Sequence, residues 1–146
     1  MDMHSAACPK KFKKVAGSCL RLFPNKANFF NAYRKCDKLN ATLLLHKTEK
    51  QQEQITKFLI DNGFKLGKPY EDEIWIGIAA LNTKAEFVSE HDQKTMKYMP
   101  WLPGEPNNRD GNEECVVYTN RMVYGYNDVD CNLKHKFVCE INKLNN

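Results

Sequence analysis

The first clear apolar pattern along the chain has helical spacing. Phe29, Ala32, Cys36 and Leu39 recur at steps of three and four residues, which places them on one face of a helix. Asn28 stands immediately before the pattern and is a good N-cap, because its side-chain oxygen can accept from an N–H group of the first turn. The spacing predicts a helix over 28–39.

A second helix is predicted from about Thr48 to Asn62. Thr48 and Gln51 have the spacing of a capping box at its start, and Gly63 is a suitable stop. The apolar face of this helix is formed by Ile55, Phe58 and Leu59.

The pattern then changes to short strand-like segments. We expect strands at 73–80, 86–89, 115–118, 122–124 and 137–139. The segment 90–114 between them is rich in Pro, Gly, Asn and charge, and a loop that long in a small domain is usually functional or disordered. Two helices followed by short strands predict an α+β domain with an antiparallel sheet.

Length and charge limit the number of domains and the kinds of partner. A chain of 146 residues suits one domain, with residues 1–7 as a flexible tail, and it has no apolar stretch long enough to span a bilayer. Residues 1–60 hold 12 Lys and Arg against 4 Asp and Glu, whereas residues 61–146 hold 10 against 14. The basic half suits anionic glycans or membranes, but a solvated lysine-rich face is the simpler interpretation.

The cysteines indicate the compartment. Six cysteines in a short chain favour disulfides and an oxidising environment, although a cytosolic protein with free thiols is the alternative. Residues 1–7 lack the apolar segment of a signal peptide, so we expect a mature secreted domain whose leader was replaced by a start methionine. Spacing alone does not choose among the possible cysteine pairings.

Oxygen-bearing side chains are concentrated in the acidic half of the chain. Oxygen is the ligand atom that a hard cation such as Ca²⁺ prefers, and about 6–8 oxygens complete its coordination. A carboxylate and an amide on either side of a proline can also bind a pair of sugar hydroxyls. The candidate residues for both tasks are Glu105, Asn107, Glu113, Asn127 and Asp128.

Motifs for other chemistry are absent from the sequence. No CxxC pair or histidine ligand spacing indicates zinc, and no GxSxG, HExxH or phosphate-binding glycine loop is present. Asp128 and Asp130 resemble a paired acid/base site, but Asp128 is better explained as a calcium ligand and Asp130 as a structural residue. The sequence therefore offers no enzymatic mechanism.

Several ordered motifs resemble a C-type lectin domain spanning 8–141. They are WIGI at 75–78, WLPGEPNN at 101–108, EEC at 113–115, YNDVDC at 126–131 and KFVCE at 136–140. The resemblance implies the C-type lectin fold, with two helices packed on small antiparallel sheets. It also implies three disulfides, Cys8–Cys19, Cys36–Cys139 and Cys115–Cys131, which leave no cysteine for an interchain bridge.

The resemblance implies that the five candidate residues coordinate one Ca²⁺ and the sugar together. It further implies a cis Glu105–Pro106 bond when calcium is bound. The order Glu-Pro-Asn, rather than Gln-Pro-Asp, resembles the mannose-type members, which bind vicinal equatorial 3- and 4-hydroxyls. Arg109 and other rim residues would tune the preference.

Departures from the family pattern concern a second, auxiliary calcium. Its usual early acidic positions fall at Ala80 and Lys84, and an acid is common where Asn108 stands. Only Glu114 remains acidic, so we expect this second site to be lost. Tyr126 replaces the usual tryptophan before Asn127 and preserves an aromatic ring.

We therefore expect a secreted, calcium-dependent lectin that recognises mannose-type glycans on microbial or host surfaces. One shallow sugar site binds weakly, so clustered glycans or a non-covalent oligomer would supply avidity; no nucleic-acid partner and no membrane insertion are expected. The alternative is a C-type lectin-like module for a protein ligand, with calcium structural or absent.

Three further residues have competing interpretations. Asn40 begins a glycosylation sequon but also suits a helix C-cap. Trp75 and Trp101 suit the core or loop packing rather than sugar stacking.

Overall fold

The computed structural model of the protein describes residues 7–69, 71–80, 86–108 and 113–142. Two helices are present, α1 (Phe29–Lys38) and α2 (Glu49–Asp61). The strands are β1 (Lys13–Val15), β2 (Ser18–Ala27), β3 (Thr42–Leu43), β4 (Ile74–Ala80), β5 (Phe87–Ser89), β6 (Cys115–Arg121), β7 (Val123–Val129) and β8 (His135–Asn142).

Both helices begin at the predicted caps. Asn28 Oδ1 accepts from Asn31 N at 2.9 Å, and Thr48 Oγ1 accepts from Gln51 N at 3.0 Å. After α1, Asn40 has a φ of 57°, the left-handed conformation expected of a residue that follows a helix. The predicted positions of the two helices are confirmed to within a residue or two at each end.

The strands form one path through the molecule, in the order β1-β2-β8-β4-β6-β7, with β3 paired to β8 and β5 paired to β4. The pairs are antiparallel apart from β4 and β8, which meet in parallel at Ile74 and Lys136. The α+β class with a largely antiparallel sheet is confirmed. Neither described helix is long and apolar enough to cross a membrane.

Strands β1, β2 and β3 were not predicted. In β2, the apolar run that ends at Phe23 is followed by Pro24, and the pairing with β8 shifts register between Phe23 and Ala27. A proline is tolerated in a strand at such an irregularity, because its missing N–H group leaves no ladder bond unmade there. The predicted strand at 122–124 was partly wrong, since Met122 has a φ of 72° and forms the turn between β6 and β7.

The three disulfides join the pairs that the family resemblance implied. Cys8 is bonded to Cys19, Cys36 to Cys139 and Cys115 to Cys131. The second bond ties α1 to β8 across a sequence separation of 103 residues. In the chain-entropy account, closing a loop of that size stabilises the fold by about 4–5 kcal/mol.

Buried polar groups connect α2 to the β6–β7 hairpin. His46 Nδ1 lies 2.8 Å from the hydroxyl of Tyr126, and the hydroxyl of Tyr118 accepts from Gln52 Nε2 at 3.0 Å and lies 2.7 Å from Thr56 Oγ1. His46 is fully buried, and its Nε2 has no hydrogen-bond partner among the described residues. Burial lowers the pKa of His46 to about 3, so the ring is neutral in the folded protein.

The buried His46 predicts acid-dependent stability. In the unfolded chain, histidine is protonated below its ordinary pKa of about 6.5, whereas His46 in the folded protein resists protonation. Each pH unit below that value therefore lowers the free energy of unfolding by up to about 1.4 kcal/mol. Between about pH 6.5 and pH 4.5, we expect the wild type to lose about 2 kcal/mol more unfolding free energy than His46→Gln. Urea denaturation at both pH values measures this difference.

The control for this prediction is His91→Gln, which alters an exposed histidine. It should keep the acid loss of the wild type. An equal loss in His46→Gln and the wild type would show that His46 does not control the pH dependence.

Candidate functional site

The β6–β7 hairpin forms the rigid side of the site. In its register, Val117 stands opposite Asn127 and Val116 opposite Asp128. The Cys115–Cys131 disulfide closes the base of the hairpin. Two candidate residues are therefore held on a paired strand rather than on a loop.

The long loop is attached to β7 by backbone hydrogen bonds. Leu102 N donates to Tyr126 O at 2.9 Å, and Tyr126 N donates to Pro100 O at 2.8 Å. The two segments approach so closely that a Cβ atom on Gly125 would lie 2.7 Å from Pro100 O. Glycine at this position allows the loop to lie flat on the strand.

The two tryptophans have packing roles. Trp75 is fully buried, and its Nε1 donates to Ala27 O at 2.8 Å. Trp101 makes edge contacts with Phe87 and Tyr126, with ring centroids 5.0 Å and 6.2 Å apart. The prediction of core and loop packing is confirmed for both residues.

Asp128 connects the hairpin to the Glu-Pro-Asn segment. Its carboxylate is fully buried and accepts from Asn107 N at 3.1 Å through Oδ1 and from Asn108 N at 2.7 Å through Oδ2. A buried carboxylate is stable only where its oxygens are satisfied, so these two bonds hold the loop against β7. The Glu105–Pro106 peptide bond just before them is cis.

Glu105 points into the protein and meets a cation of the chain itself. Its side chain is 5% exposed, and its Oε2 accepts from Arg121 Nη1 at 3.0 Å. Its other oxygen, Oε1, is buried with no hydrogen-bond partner among the described residues. Glu105 therefore retains an unsatisfied acceptor at the point where the family resemblance requires a metal ligand.

The remaining candidates lie around this centre. Glu113 is half-buried, and its N–H donates to Asn108 Oδ1 at 3.0 Å. Asn107 is exposed, and Asn127 is half-buried on β7. The contacts of the described residues bring Asn107 to Asp128 and Glu105 to Arg121.

The donor set fits a hard cation with one opposing feature. The metal-ligand atoms of the five candidates are all oxygens, and Glu105 Oε1 is a buried oxygen with no hydrogen-bond partner among the described residues, which suits Ca²⁺. In the described part of the chain, no three His, Cys, Asp or Glu side chains lie together as a metal-holding group, so Glu105, Glu113 and Asp128 are not gathered as a cluster of three carboxylates. Arg121 is the opposing feature, because its charge repels a cation at Glu105.

Arg121 was missed by the sequence interpretation. It is the last residue of β6, 16 positions from Glu105, and only the folding of the loop onto the hairpin brings them together. A charge at the end of a strand of largely buried residues was the one available signal. Sequence spacing does not reveal such a pair.

The loss of the auxiliary calcium site stays a prediction. Ala80 ends β4, has no side-chain oxygen, and donates its N–H to Glu114 O at 2.8 Å. Asn108 accepts from Glu113 N and so has a role within the loop. Lys84 and Arg109, like the tail at 1–6, lie outside the described residues.

Fold and loop together define a small disulfide-bonded α+β binding domain with an oxygen-rich loop. The family model described as the lectin C-type domain matches residues 25–141. The chain belongs to the C-type lectin domain family.

Individual relatives agree with this assignment. Salivary C-type lectin 2 of Aedes albopictus is 34% identical over 145 residues, covering 94% of this chain and 91% of that protein. The C-type lectin domain of murine dendritic cell inhibitory receptor 2, solved with an N-glycan, has a TM-score of 0.76 at 23% identity, covering 93% of this chain and 99% of that one. A calcium-independent type II antifreeze protein also has a TM-score of 0.76, at 18% identity, covering 95% of this chain and 97% of its own. At these identities the two structures establish the fold alone.

The contacts of Asp128 predict that Asp128→Ala loosens the Glu-Pro-Asn segment. Removing the carboxylate leaves the N–H groups of Asn107 and Asn108 without their acceptor, so both amides should exchange with solvent roughly tenfold faster or more, while the cost in global stability is about 1–3 kcal/mol. Amide hydrogen exchange resolved by residue measures this. Asp92→Ala, which removes an exposed acceptor, should leave both amides protected; unchanged exchange in Asp128→Ala would contradict the anchoring role.

Proposed function

We propose that the protein is a secreted, calcium-dependent lectin that binds mannose-type sugars through Glu105, Asn107, Glu113, Asn127 and Asp128. The same five residues would hold the ion and contact the sugar. Its role would be recognition of glycans on microbial or host surfaces.

The observation that carries this proposal is the buried oxygen of Glu105. Oε1 has no hydrogen-bond partner among the described residues, and an unsatisfied buried carboxylate oxygen costs about 1–3 kcal/mol or more. A cation beside it removes that cost. Asp128 on β7 already holds the segment that carries Asn107, so the proposed ligands for metal and sugar come from the loop and from the strand beside it.

The residues that surround the ion can satisfy two sugar hydroxyls completely. When bound, calcium supplies an electropositive centre for one lone pair of each hydroxyl oxygen. The amide groups of Asn107 and Asn127 can donate to the second lone pair, and the carboxylates of Glu105 and Glu113 can accept the proton. A sugar lacking either hydroxyl leaves these groups unpaired, which is the source of selectivity.

The relatives support a secreted lectin. The Aedes albopictus protein with 34% identity is named as a salivary C-type lectin, and this chain shares its family over 94% of its own length. All six cysteines are paired, as suits an oxidising compartment. Since a site for one sugar binds weakly, clustered glycans or a non-covalent oligomer would provide useful avidity.

A second candidate function follows from the Glu105–Arg121 ion pair. Arg121 Nη1, 3.0 Å from Glu105 Oε2, gives the loop a cation of its own. With that charge in place the loop can keep its shape without metal. This arrangement favours a C-type lectin-like module that binds a protein ligand with calcium structural or absent.

Binding to immobilised mannose separates the two candidates. The lectin proposal predicts retention on mannose resin in calcium and release by EDTA, because the ion contacts the sugar directly. Retention that persists in EDTA, or no retention at any calcium concentration, would reject the lectin proposal and leave the protein-binding candidate.

The donor and acceptor arrangement is tested by exchanging Glu105→Gln with Asn107→Asp. This double change reverses which side of the proline donates and should move the preference from mannose toward galactose by about tenfold or more, as expected when polar groups of a site are mismatched. Competition with the free monosaccharides on the resin measures it. The matched control Glu53→Gln with Asn31→Asp, at exposed positions of the two helices, leaves the five residues intact and should keep mannose preference.

Arg121 should oppose calcium. Removing its charge in Arg121→Gln is worth about 1 kcal/mol or more, because like charges about 4 Å apart repel by that much even with the screening of bulk water, so we expect calcium affinity to rise by roughly three- to tenfold or more. Calorimetric titration measures the affinity, and Arg34→Gln, a change of an exposed arginine on α1, is the matched control. Weaker calcium binding in a folded Arg121→Gln would show that Arg121 supports the site instead.

A further inference from the structure

An open groove lies away from the Glu-Pro-Asn segment, between the chain entering α2 and the segment that follows β5. It encloses about 400 Å³. Leu45 and Lys47 form one side, and the other side runs from Ser89 to Tyr98. We call it the lysine groove, after Lys47, Lys94 and Lys97.

These three lysines are exposed, and none forms a direct ion pair with a carboxylate of the described residues; the charges of Lys47 and Lys94 act at longer range on Glu140 and Asp92. The lysine ion pairs among the described residues use Lys57 and Lys136. Asp92 is the one acidic side chain that the described residues contribute to the lining. It is already engaged, because it lies 3.4 Å from His91 Nε2 and accepts from Lys94 N at 3.1 Å. The groove therefore presents three ammonium groups against one carboxylate.

The positive surface continues beyond the groove. Lys47 also lines a neighbouring cavity of about 280 Å³, where Lys50, Thr48 and Gln51 stand beside it. A third cavity, of about 230 Å³, shares Leu45, Lys47 and His91 with the groove and is also lined by Glu140. The carboxylate of Glu140 is buried and accepts from Ser18 Oγ at 2.6 Å and Leu45 N at 3.0 Å, so it is occupied within the protein.

Lys50, Lys47, Lys94 and Lys97 together form a basic surface that we call the lysine strip, and Tyr98 belongs to the same lining as three of them. Burial and, after it, the negative charges of Glu49 and Glu53 raise the pKa of Tyr98. Its hydroxyl donates to Gln52 Oε1 at 2.5 Å. The charges of Glu49 and Glu53, on the first turns of α2, therefore lie near Tyr98.

The chemistry of the lysine strip favours a linear polymer that carries many sulfate groups. Ammonium groups are point charges that bind anionic oxygens, and a row of them attracts a chain that carries repeated negative charge. Thr95, which is exposed, adds a hydroxyl for uncharged parts of such a chain. The exposed large apolar side chains of the described protein lie elsewhere, so a membrane surface, which needs apolar anchors, is a poorer fit. Tyr98, the aromatic in the lining, is half-buried with its hydroxyl engaged, which is unsuited to the base stacking that single-stranded nucleic acids require.

We propose that the lysine groove is a second binding site, independent of calcium, for sulfated polysaccharides. It needs neither Glu105 nor the mannose site. Lys47 belongs to the basic half of the chain, for which the sequence suggested a solvated face, and the fold brings it to the same groove as Lys94 and Lys97 of the acidic half.

Binding of fluorescent heparin in excess EDTA tests the proposal. The wild type should bind, and added salt should weaken binding steeply, as expected when several ion pairs form. The triple variant Lys47→Gln, Lys94→Gln, Lys97→Gln should lose about tenfold in affinity, since each exposed ion pair contributes a few-fold at most. The control variant Lys10→Gln, Lys68→Gln, Lys134→Gln removes the same charge from exposed lysines outside the groove and should remain within about twofold of the wild type, because distant exposed charges are screened.

Several results would overturn the proposal. These are absence of heparin binding, its abolition by EDTA, or an equal loss in the two triple variants, which would indicate net charge alone. Tighter binding of single-stranded DNA than of heparin would indicate a nucleic-acid surface. Equal binding of anionic lipid vesicles would indicate a membrane surface. Mannose retention on resin should be the same in the groove variant and the wild type, so failure of this proposal is distinguishable from failure of the lectin proposal.

Discussion

The disulfide between Cys36 and Cys139 is the constraint on which the rest of the fold depends. It attaches α1 to β8, the strand that also pairs with β2, β3 and β4. A residue of the first helix is thus joined to a residue of the last strand, and that strand lies between β2 and β4 in the sheet. The sheet that continues from β4 through β6 to β7 is therefore supported on a fixed base, and β7 in turn supports the long loop.

Charge balance at Glu105 governs the candidate site. A carboxylate that is nearly buried needs a positive partner, and Arg121 supplies one for Oε2 while Oε1 lacks a hydrogen-bond partner in the described part of the protein. The site is thus partly neutralised by the chain itself. This arrangement links the two candidate functions, since the same arginine that stabilises a loop without metal also lowers the affinity of the loop for a cation.

Much of the local structure was predictable because it rests on short-range physics. The caps Asn28 and Thr48 bond within the first turn of their own helices, and both helices lie at the predicted positions. The first three strands were missed for the opposite reason. β1 and β3 have only three and two residues, and Pro24 interrupts the apolar pattern of β2, so these strands depend on pairing with partners far along the chain.

The sequence by itself determined the residue types of the site and, through family resemblance, the cysteine pairing and the fold. Those properties are carried by ordered motifs, which are visible without coordinates. Only the tertiary structure decided which groups meet: Arg121 with Glu105, Asp128 with two N–H groups of the loop, and Lys47 with Lys94 and Lys97 along one groove. The physical reason is that charge interactions depend on distance in space, and packing of a loop on a hairpin sets that distance independently of separation along the chain.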